Sequence, residues 1–276
     1  MKHLETSWKS ADGLTLFAQC WEPDTLPIKA VVCLVHGIGE HSGRYAHVAE
    51  AFGKKGYALF AADLRGHGRS EGSRGHAPSL EALLLDLDTL LEKAAERYPN
   101  VPLFLYGHSL GAILVLHYGL KRKPAVKGIL ATSPALHSSL ELQAVKVLAA
   151  KILGTLVPSL ALASGLDVNA ISHDSAVIEA YNIDVLVHDK ISVGLGKELL
   201  RVCTYNLKHA GEFPLPLLLM HGKEDAIAFP SSSIEFAEPL VGRCKLVLWD
   251  GGFHELHNEP FKDEVFKSMT DWLDAL

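Results

Sequence analysis

The chain has few cysteines, no apolar run long enough to cross a bilayer and no excess of positive charge, and each shortage removes a class of function. Its four cysteines, Cys20, Cys33, Cys203 and Cys244, show no paired spacing. That argues against a disulfide framework and a Cys-pair zinc site. With Cys33 and Cys244 inside apolar runs, the four read as buried thiols of a reducing compartment. Twenty-six Lys and Arg against 32 Asp and Glu leave a formal net charge of −6, which argues against a nucleic-acid partner. Residues Met1 to Gly13 mix Lys, Glu, Ser and Asp without an apolar core, so they do not read as a signal, and a cytoplasmic protein is expected. Fifteen histidines invite a metal reading, yet there is no His-Glu-x-x-His. His254-Glu255-Leu256-His257 is one residue short of it, and neither a metal nor another cofactor is expected. Internal repeats and low-complexity tracts are also missing.

What is present is apolar sequence in strand-length pieces. At 276 residues and 48% hydrophobic content the chain can bury one large core. Strand-like runs near Leu14 to Glu22, Ala30 to His36, Tyr57 to Asp63, Val101 to Tyr106, Val126 to Ser133, Leu215 to Met220 and Cys244 to Trp249 alternate with helix patterns such as Leu80 to Tyr98. This rhythm predicts an α/β fold, a mostly parallel sheet with helices on both faces. Between Ser133-Pro134-Ala135-Leu136 and Pro214 the rhythm stops for about 75 residues, too long for a plain loop. The expected division is therefore a core of residues 1–136 and 207–276 with an inserted helical cap at 137–206.

The cap speaks to substrate. Leu140, Leu142, Val145, Val147, Leu148, Ile152 and Leu153, then Leu156 to Leu162, put Leu and Val on more than one helical face, while Lys151 and Pro158 rule out a spanning helix. Such a surface either packs on the core while lining an acyl pocket, or lies in part on a lipid surface. Both readings favour a lipophilic acyl group, since each buried methylene contributes about 0.8 kcal/mol.

The chemistry gathers around Gly107-His108-Ser109-Leu110-Gly111, which follows the apolar run Val101 to Tyr106 and precedes a helix-like stretch, Ala112 to Lys121. A serine flanked by glycines on a strand-to-helix turn is an exposed nucleophile. A serine hydroxyl needs an imidazole to take its proton and a carboxylate to orient that imidazole, and in an α/β-hydrolase these follow in the order Ser, acid, His. Leu215 to Met220 ends in His221-Gly222-Lys223-Glu224-Asp225, so Asp225 is the candidate acid, with Glu224 its adjacent competitor. Cys244 to Trp249 opens into Asp250-Gly251-Gly252-Phe253-His254, and only His254 and His257 lie after Asp225. His254, at the loop tip, is taken as the base. For the oxyanion hole, Leu110 N–H is one donor, and Ile38 N–H, in the turn His36-Gly37-Ile38-Gly39 after a buried strand, is the other. Gly37, Gly39 and Gly43 with Asp63 also suggest a dinucleotide fingerprint, but its third position falls on Ser42 and strand-like sequence precedes it. His36, His108 and His221, each ending a strand, are read as loop-shaping hydrogen-bond partners, and Asp63 and His67 as holding a turn above the sheet.

The run His36-Gly37-Ile38-Gly39-Glu40-His41-Ser42-Gly43-Arg44-Tyr45, then Asp63-Leu64-Arg65-Gly66-His67-Gly68-Arg69-Ser70-Glu71-Gly72, the Ser109 turn and the Asp225 and His254 segments together resemble the monoacylglycerol lipase family of α/β-hydrolases over nearly the whole chain. The resemblance implies an eight-stranded α/β-hydrolase sheet, a lid, and a serine hydrolase that releases a fatty acid from a monoacylglycerol. It also implies substrate contacts at Glu40, Arg44, Tyr181 and His257 near the glycerol end; the bland reading of Glu40 and Arg44 is a structural ion pair fixing the oxyanion loop. Ala112 stands where the family commonly has a second glycine and Val185 where it often has proline, departures that leave the triad alone. A general carboxylesterase or lysophospholipase keeps the same triad, and a non-catalytic ligand sensor keeps only the fold and pocket. Epoxide hydrolysis would need a carboxylate in place of Ser109.

Overall fold

The computed structural model describes residues 1–24, 27–139, 148 and 152–276. Strands β1 (Lys2–Lys9), β2 (Thr15–Glu22), β3 (Ala30–Val35), β4 (Tyr57–Ala62), β5 (Leu103–His108), β6 (Ile129–Thr132), β9 (Leu217–Gly222) and β10 (Cys244–Trp249) form one eight-stranded sheet in the order β1-β2-β4-β3-β5-β6-β9-β10. β1, β2 and β4 are joined by antiparallel pairing, and every pair from β4 to β10 is parallel. This is an α/β-hydrolase sheet. β3 reads Ala-Val-Val-Cys-Leu-Val and is buried at every position, as a strand covered on both faces must be.

Two helical layers cover it. α1 (Ala46–Gly53) and α7 (Lys262–Asp274) bury Val48, Phe52, Met269 and Trp272 against one face. α2 (Leu80–Arg97), α3 (Leu110–Arg122), α5 (Val193–Lys208) and α6 (Pro230–Ala237) cover the other, with Leu83, Leu87, Leu90, Ile113, Val202 and Phe236 in its core. α2 begins where Ser79 Oγ accepts the Ala82 N–H at 3.1 Å, an N-cap that satisfies one orphan donor of the first turn. The chain leaves β3 for β4 on one side and later enters β5 on the other. Their following loops therefore diverge and open a crevice at the carboxyl ends of the strands.

The segment over that crevice differs from the expected helical cap in not being purely helical. It holds α4 (Ser175–Ile183) and a helical segment at 152–156, but also a short antiparallel pair, β7 (Ala161–Ala163) with β8 (Lys190–Ser192). α5 runs from this segment into the core: its buried Asn206 donates to the Ile113 carbonyl of α3 at 3.1 Å and pairs with His117 Nδ1 at 2.7 Å. The expected boundary at residue 206 thus falls inside a helix. Of the apolar residues expected in the cap, Leu140, Leu142, Val145 and Val147 lie outside the described residues. No helix among the described residues is long and apolar enough to cross a membrane.

Candidate active site

Ser109 sits between β5 and α3 with φ 54° and ψ −113°, a backbone state that costs a non-glycine residue about 1–3 kcal/mol. Its surroundings hold it there. Ser109 N–H donates to the Thr132 carbonyl at 3.0 Å and the Ser109 carbonyl accepts the Ile113 N–H at 3.1 Å. The flanking glycines are required by space: a Cβ on Gly107 would lie 2.4 Å from the Gly111 carbonyl oxygen, and one on Gly111 would lie 2.0 Å from that of Val35. The tight turn therefore packs directly against the end of β3.

The loops after β9 and β10 bring the other two groups in. They approach so closely that a Cβ on Gly222 would meet the Gly252 carbonyl oxygen at 2.2 Å, and Glu224 N–H donates to that carbonyl at 3.0 Å. Glu224 itself is exposed, whereas Asp225 is buried. Asp225 Oδ2 lies 2.7 Å from His254 Nδ1, and His254 Nε2 lies 2.9 Å from Ser109 Oγ. Because a carboxylate only accepts, His254 carries its proton on Nδ1, leaving Nε2 to accept the Ser109 hydroxyl.

The electrostatics suit a base. Burial works to lower the His254 pKa, but the charge and hydrogen bond of Asp225, with Glu255 and Glu40 behind, raise it above the ordinary histidine value. Burial likewise opposes ionisation of Asp225, and the two histidines on it, His254 and His221, override this and hold its pKa well below the usual carboxylate range. His108, its ring 4.9 Å from that of His254, goes the other way. Burial and the neighbouring imidazole push its pKa down to about 4, so it is neutral at ordinary pH.

The loop after β3 supplies Gly37, Ile38 and Glu40 to the rim of a small space at Ser109, and Leu166, Ile171 and Tyr181 close it from above. The space is about 10 Å³, room for one water. Ile38 thus borders Ser109, and Leu110 N–H belongs to the first turn of α3, where backbone donors have no acceptor within the helix. A larger open groove of about 710 Å³, between α2 and the end of α3, lies away from all of these residues.

Glu40 and Arg44 form a buried network that the sequence foreshadowed only in part. Glu40 Oε1 accepts the Gly37 N–H at 2.6 Å and the Tyr45 hydroxyl at 2.7 Å. Arg44 donates to Glu40 Oε2 at 2.7 Å and to both oxygens of Glu255 at 2.7 Å each. The same guanidinium stacks 4.7 Å over the ring of Tyr181. Arg44 therefore ties the loop after β3 to the residue beside His254. Glu255 went unnoticed in the sequence because its partner is 211 positions away. His257, also expected near the glycerol end, lies beside this network. Its ring is fully buried, stacked 4.8 Å from Tyr45, and it does not line the space at Ser109; the 3₁₀ turn Leu256–Asn258 carries its side chain inward.

A family model described as serine aminopeptidase, S33, matches residues 27–261. A monoacylglycerol lipase of Mycolicibacterium smegmatis is 34% identical over 271 residues, 98% of this chain and 96% of that one. The chain belongs to the monoacylglycerol lipase family of α/β-hydrolases. Within this family the crystal structure of Paleococcus ferrophilus monoacylglycerol lipase superposes with a TM-score of 0.84 at 32% identity, covering 99% of this chain and 98% of that one. An uncharacterised abhydrolase domain-containing protein of Dictyostelium discoideum is 42% identical over 96% of this chain, which spans only 28% of that relative's length.

Proposed function

We propose that this family member is a serine hydrolase that cleaves monoacylglycerols to glycerol and free fatty acid through an acyl-Ser109 intermediate. The observation that carries this is the continuous path from Asp225 Oδ2 through His254 to Ser109 Oγ, with links of 2.7 and 2.9 Å. In this reading His254 Nε2 takes the hydroxyl proton as Ser109 Oγ attacks the ester carbonyl. The oxyanion is held by the N–H groups of Ile38 and Leu110. His254 passes the proton to the departing glycerol oxygen, then activates the water that releases the fatty acid. Asp225 fixes the imidazole tautomer and stabilises its cation throughout. Glu40 and Tyr181, at the rim of the site, face the alcohol end, and Arg44 acts through them by holding both in place.

The enclosed space is far too small for a long acyl chain, so the reading requires the segment bearing Leu166, Ile171 and Tyr181 to shift when substrate enters. The same segment carries the expected lipid contact. Ile152 and Leu156 stand one turn apart in the helical segment 152–156, with Leu148, Val157 and Leu160 also exposed, and Leu156 is 74% accessible. Apolar side chains left in water support peripheral contact with the lipid phase where the substrate resides. Ile152→Ser together with Leu156→Ser tests it: reduced sedimentation with phospholipid vesicles supports the contact, and unchanged sedimentation removes it.

The substrate is tested by fatty-acid release from a long-chain monoacylglycerol and from a short p-nitrophenyl ester. Turnover that favours the monoacylglycerol is expected. Turnover of the short ester alone would retain the mechanism and move the protein to the general esterases.

A further inference from the structure

Asp225 is held by more than His254. Its Oδ1 accepts the backbone N–H groups of Ile227 and Ala228, both at 2.9 Å. Its Oδ2 lies 2.7 Å from His254 Nδ1 and 3.1 Å from His221 Nε2. His221 is the penultimate residue of β9 and its side chain is fully buried. Its protonation is fixed by its partners. Nε2 lies 3.0 Å from the Ala228 carbonyl oxygen as well as near Asp225, and since both partners only accept, Nε2 carries a proton. Nδ1 lies 2.7 Å from Ser233 Oγ on α6, so in the neutral ring it accepts that hydroxyl. Four donors fill the roughly four lone-pair sites of a carboxylate, leaving Asp225 no rotation that keeps them all.

We propose that His221 is a positioning residue for the acid of the triad: by donating to the oxygen that receives His254, it aims that carboxylate and moderates the basicity of His254. The inference rests on the triad reading above. Two donors share the charge on Oδ2, so the imidazolium of His254 receives less of it than from a carboxylate facing His254 alone. Loss of the His221 donor frees Asp225 to turn, which lowers kcat. It also concentrates charge opposite His254, which raises the pH at which the base loses its proton. The other ionisable groups around His254 are His108 at the end of β5, Glu40 and Arg44 from the loop after β3, and Glu255 and His257 on its own loop. They are unchanged in the variants below, so the comparison isolates His221.

The test is the pH profile of kcat/KM on a long-chain monoacylglycerol for wild type, His221→Phe, His221→Gln, Ser233→Ala and Asp225→Asn. His221→Phe is expected to lower kcat about tenfold, the equivalent of one hydrogen bond to a charged group, and to move the acid limb upward by about half a pH unit or more. His221→Gln keeps an N–H donor where the imidazole Nε2 stood and restores the limb to within ~0.2 of wild type with most of the rate. Ser233→Ala, which removes the partner that orients the ring, shifts the limb in the same direction by less. An unmoved or lowered limb in His221→Phe, or a glutamine variant as impaired as phenylalanine, overturns the proposal. Should His221→Phe not fold, the low-field proton resonance of His254 Nδ1–H in Ser233→Ala decides: displacement from its wild-type position supports the proposal and coincidence overturns it. Asp225→Asn keeps the two levels apart. If it leaves turnover intact, the triad reading itself fails; if it abolishes turnover while the His221 and Ser233 variants titrate like wild type, only the role of His221 fails.

Discussion

Replacing Arg44 by methionine removes one guanidinium and strands two carboxylates. The side chains of Arg44, Glu40 and Glu255 are 10%, 3% and 4% exposed, and the guanidinium makes three contacts of 2.7 Å with the two acids. Removing one partner of a buried ion pair costs about 3–5 kcal/mol, because the remaining charge loses its compensation without regaining water. Two acids lose a partner here, but Asn258 still donates to Glu255, and Gly37 and Tyr45 to Glu40. The expectation is therefore about 4 kcal/mol, within that range. The sign with pH is determined. Without Arg44 the Glu40 carboxylate loses the cation that offsets its burial, and its folded-state pKa rises above that of the unfolded chain. The folded variant then binds more protons than the unfolded one, so its deficit against wild type shrinks as pH falls. Urea unfolding at pH 8 and pH 5 measures this. Since Glu40 holds Gly37 N–H beside Ile38 and Glu255 follows His254, kcat should fall as well. A deficit below about 1 kcal/mol, the value of an exposed pair, or one that grows toward pH 5, would refute the argument.

Four other outcomes are expected. Ser109→Ala and His254→Ala should each lower kcat by about 10⁶, since triad members act as a unit, and Asp225→Asn should be severe but milder; progress curves check all three, and a Glu224→Gln variant worse than Asp225→Asn would reassign the acid. Gly111→Ala should yield little folded protein, because its Cβ would lie 2.0 Å from the Val35 carbonyl oxygen, and a normal melting profile would contradict the close packing of the turn. Activity should rise with pH through an apparent pKa above about 6.5, because Asp225 raises that of His254 and only the neutral ring accepts a proton; a flat pH–rate profile would count against a histidine base. Acid should destabilise the fold: His108, with its pKa lowered to about 4, binds its proton in the unfolded chain first, so stability is lost as pH falls from about 6.5 toward 4, by about 3 kcal/mol from this residue. Urea titrations of wild type and His108→Gln across that window would show it as a smaller loss in the variant.

The sheet was legible in the sequence where strands are buried on both faces, because β3, β5 and β9 are continuous apolar runs with no competing helical period. β1 was not legible: it is an edge strand, mostly exposed along Lys2–Lys9, and its charged pattern looks like loop. β7 and β8 are three residues each, too short to carry a period. Ser109, Asp225 and His254 could be read from chain order and strand ends alone. The Arg44–Glu255 pair and the contact of His221 with Asp225 Oδ2 could not, since each depends on how separate loops fold back on one another. The burial of His257 was equally hidden, since it is set by how the turn Leu256–Asn258 folds.

The most direct test of the central claim is active-site titration with a long-chain p-nitrophenyl phosphonate, followed by peptide mass analysis. One equivalent of p-nitrophenol per chain is expected, with the adduct on Ser109, protection by long-chain monoacylglycerol, and no reaction in Ser109→Ala. An adduct on another residue, or monoacylglycerol turnover that survives in Ser109→Ala, would contradict the claim.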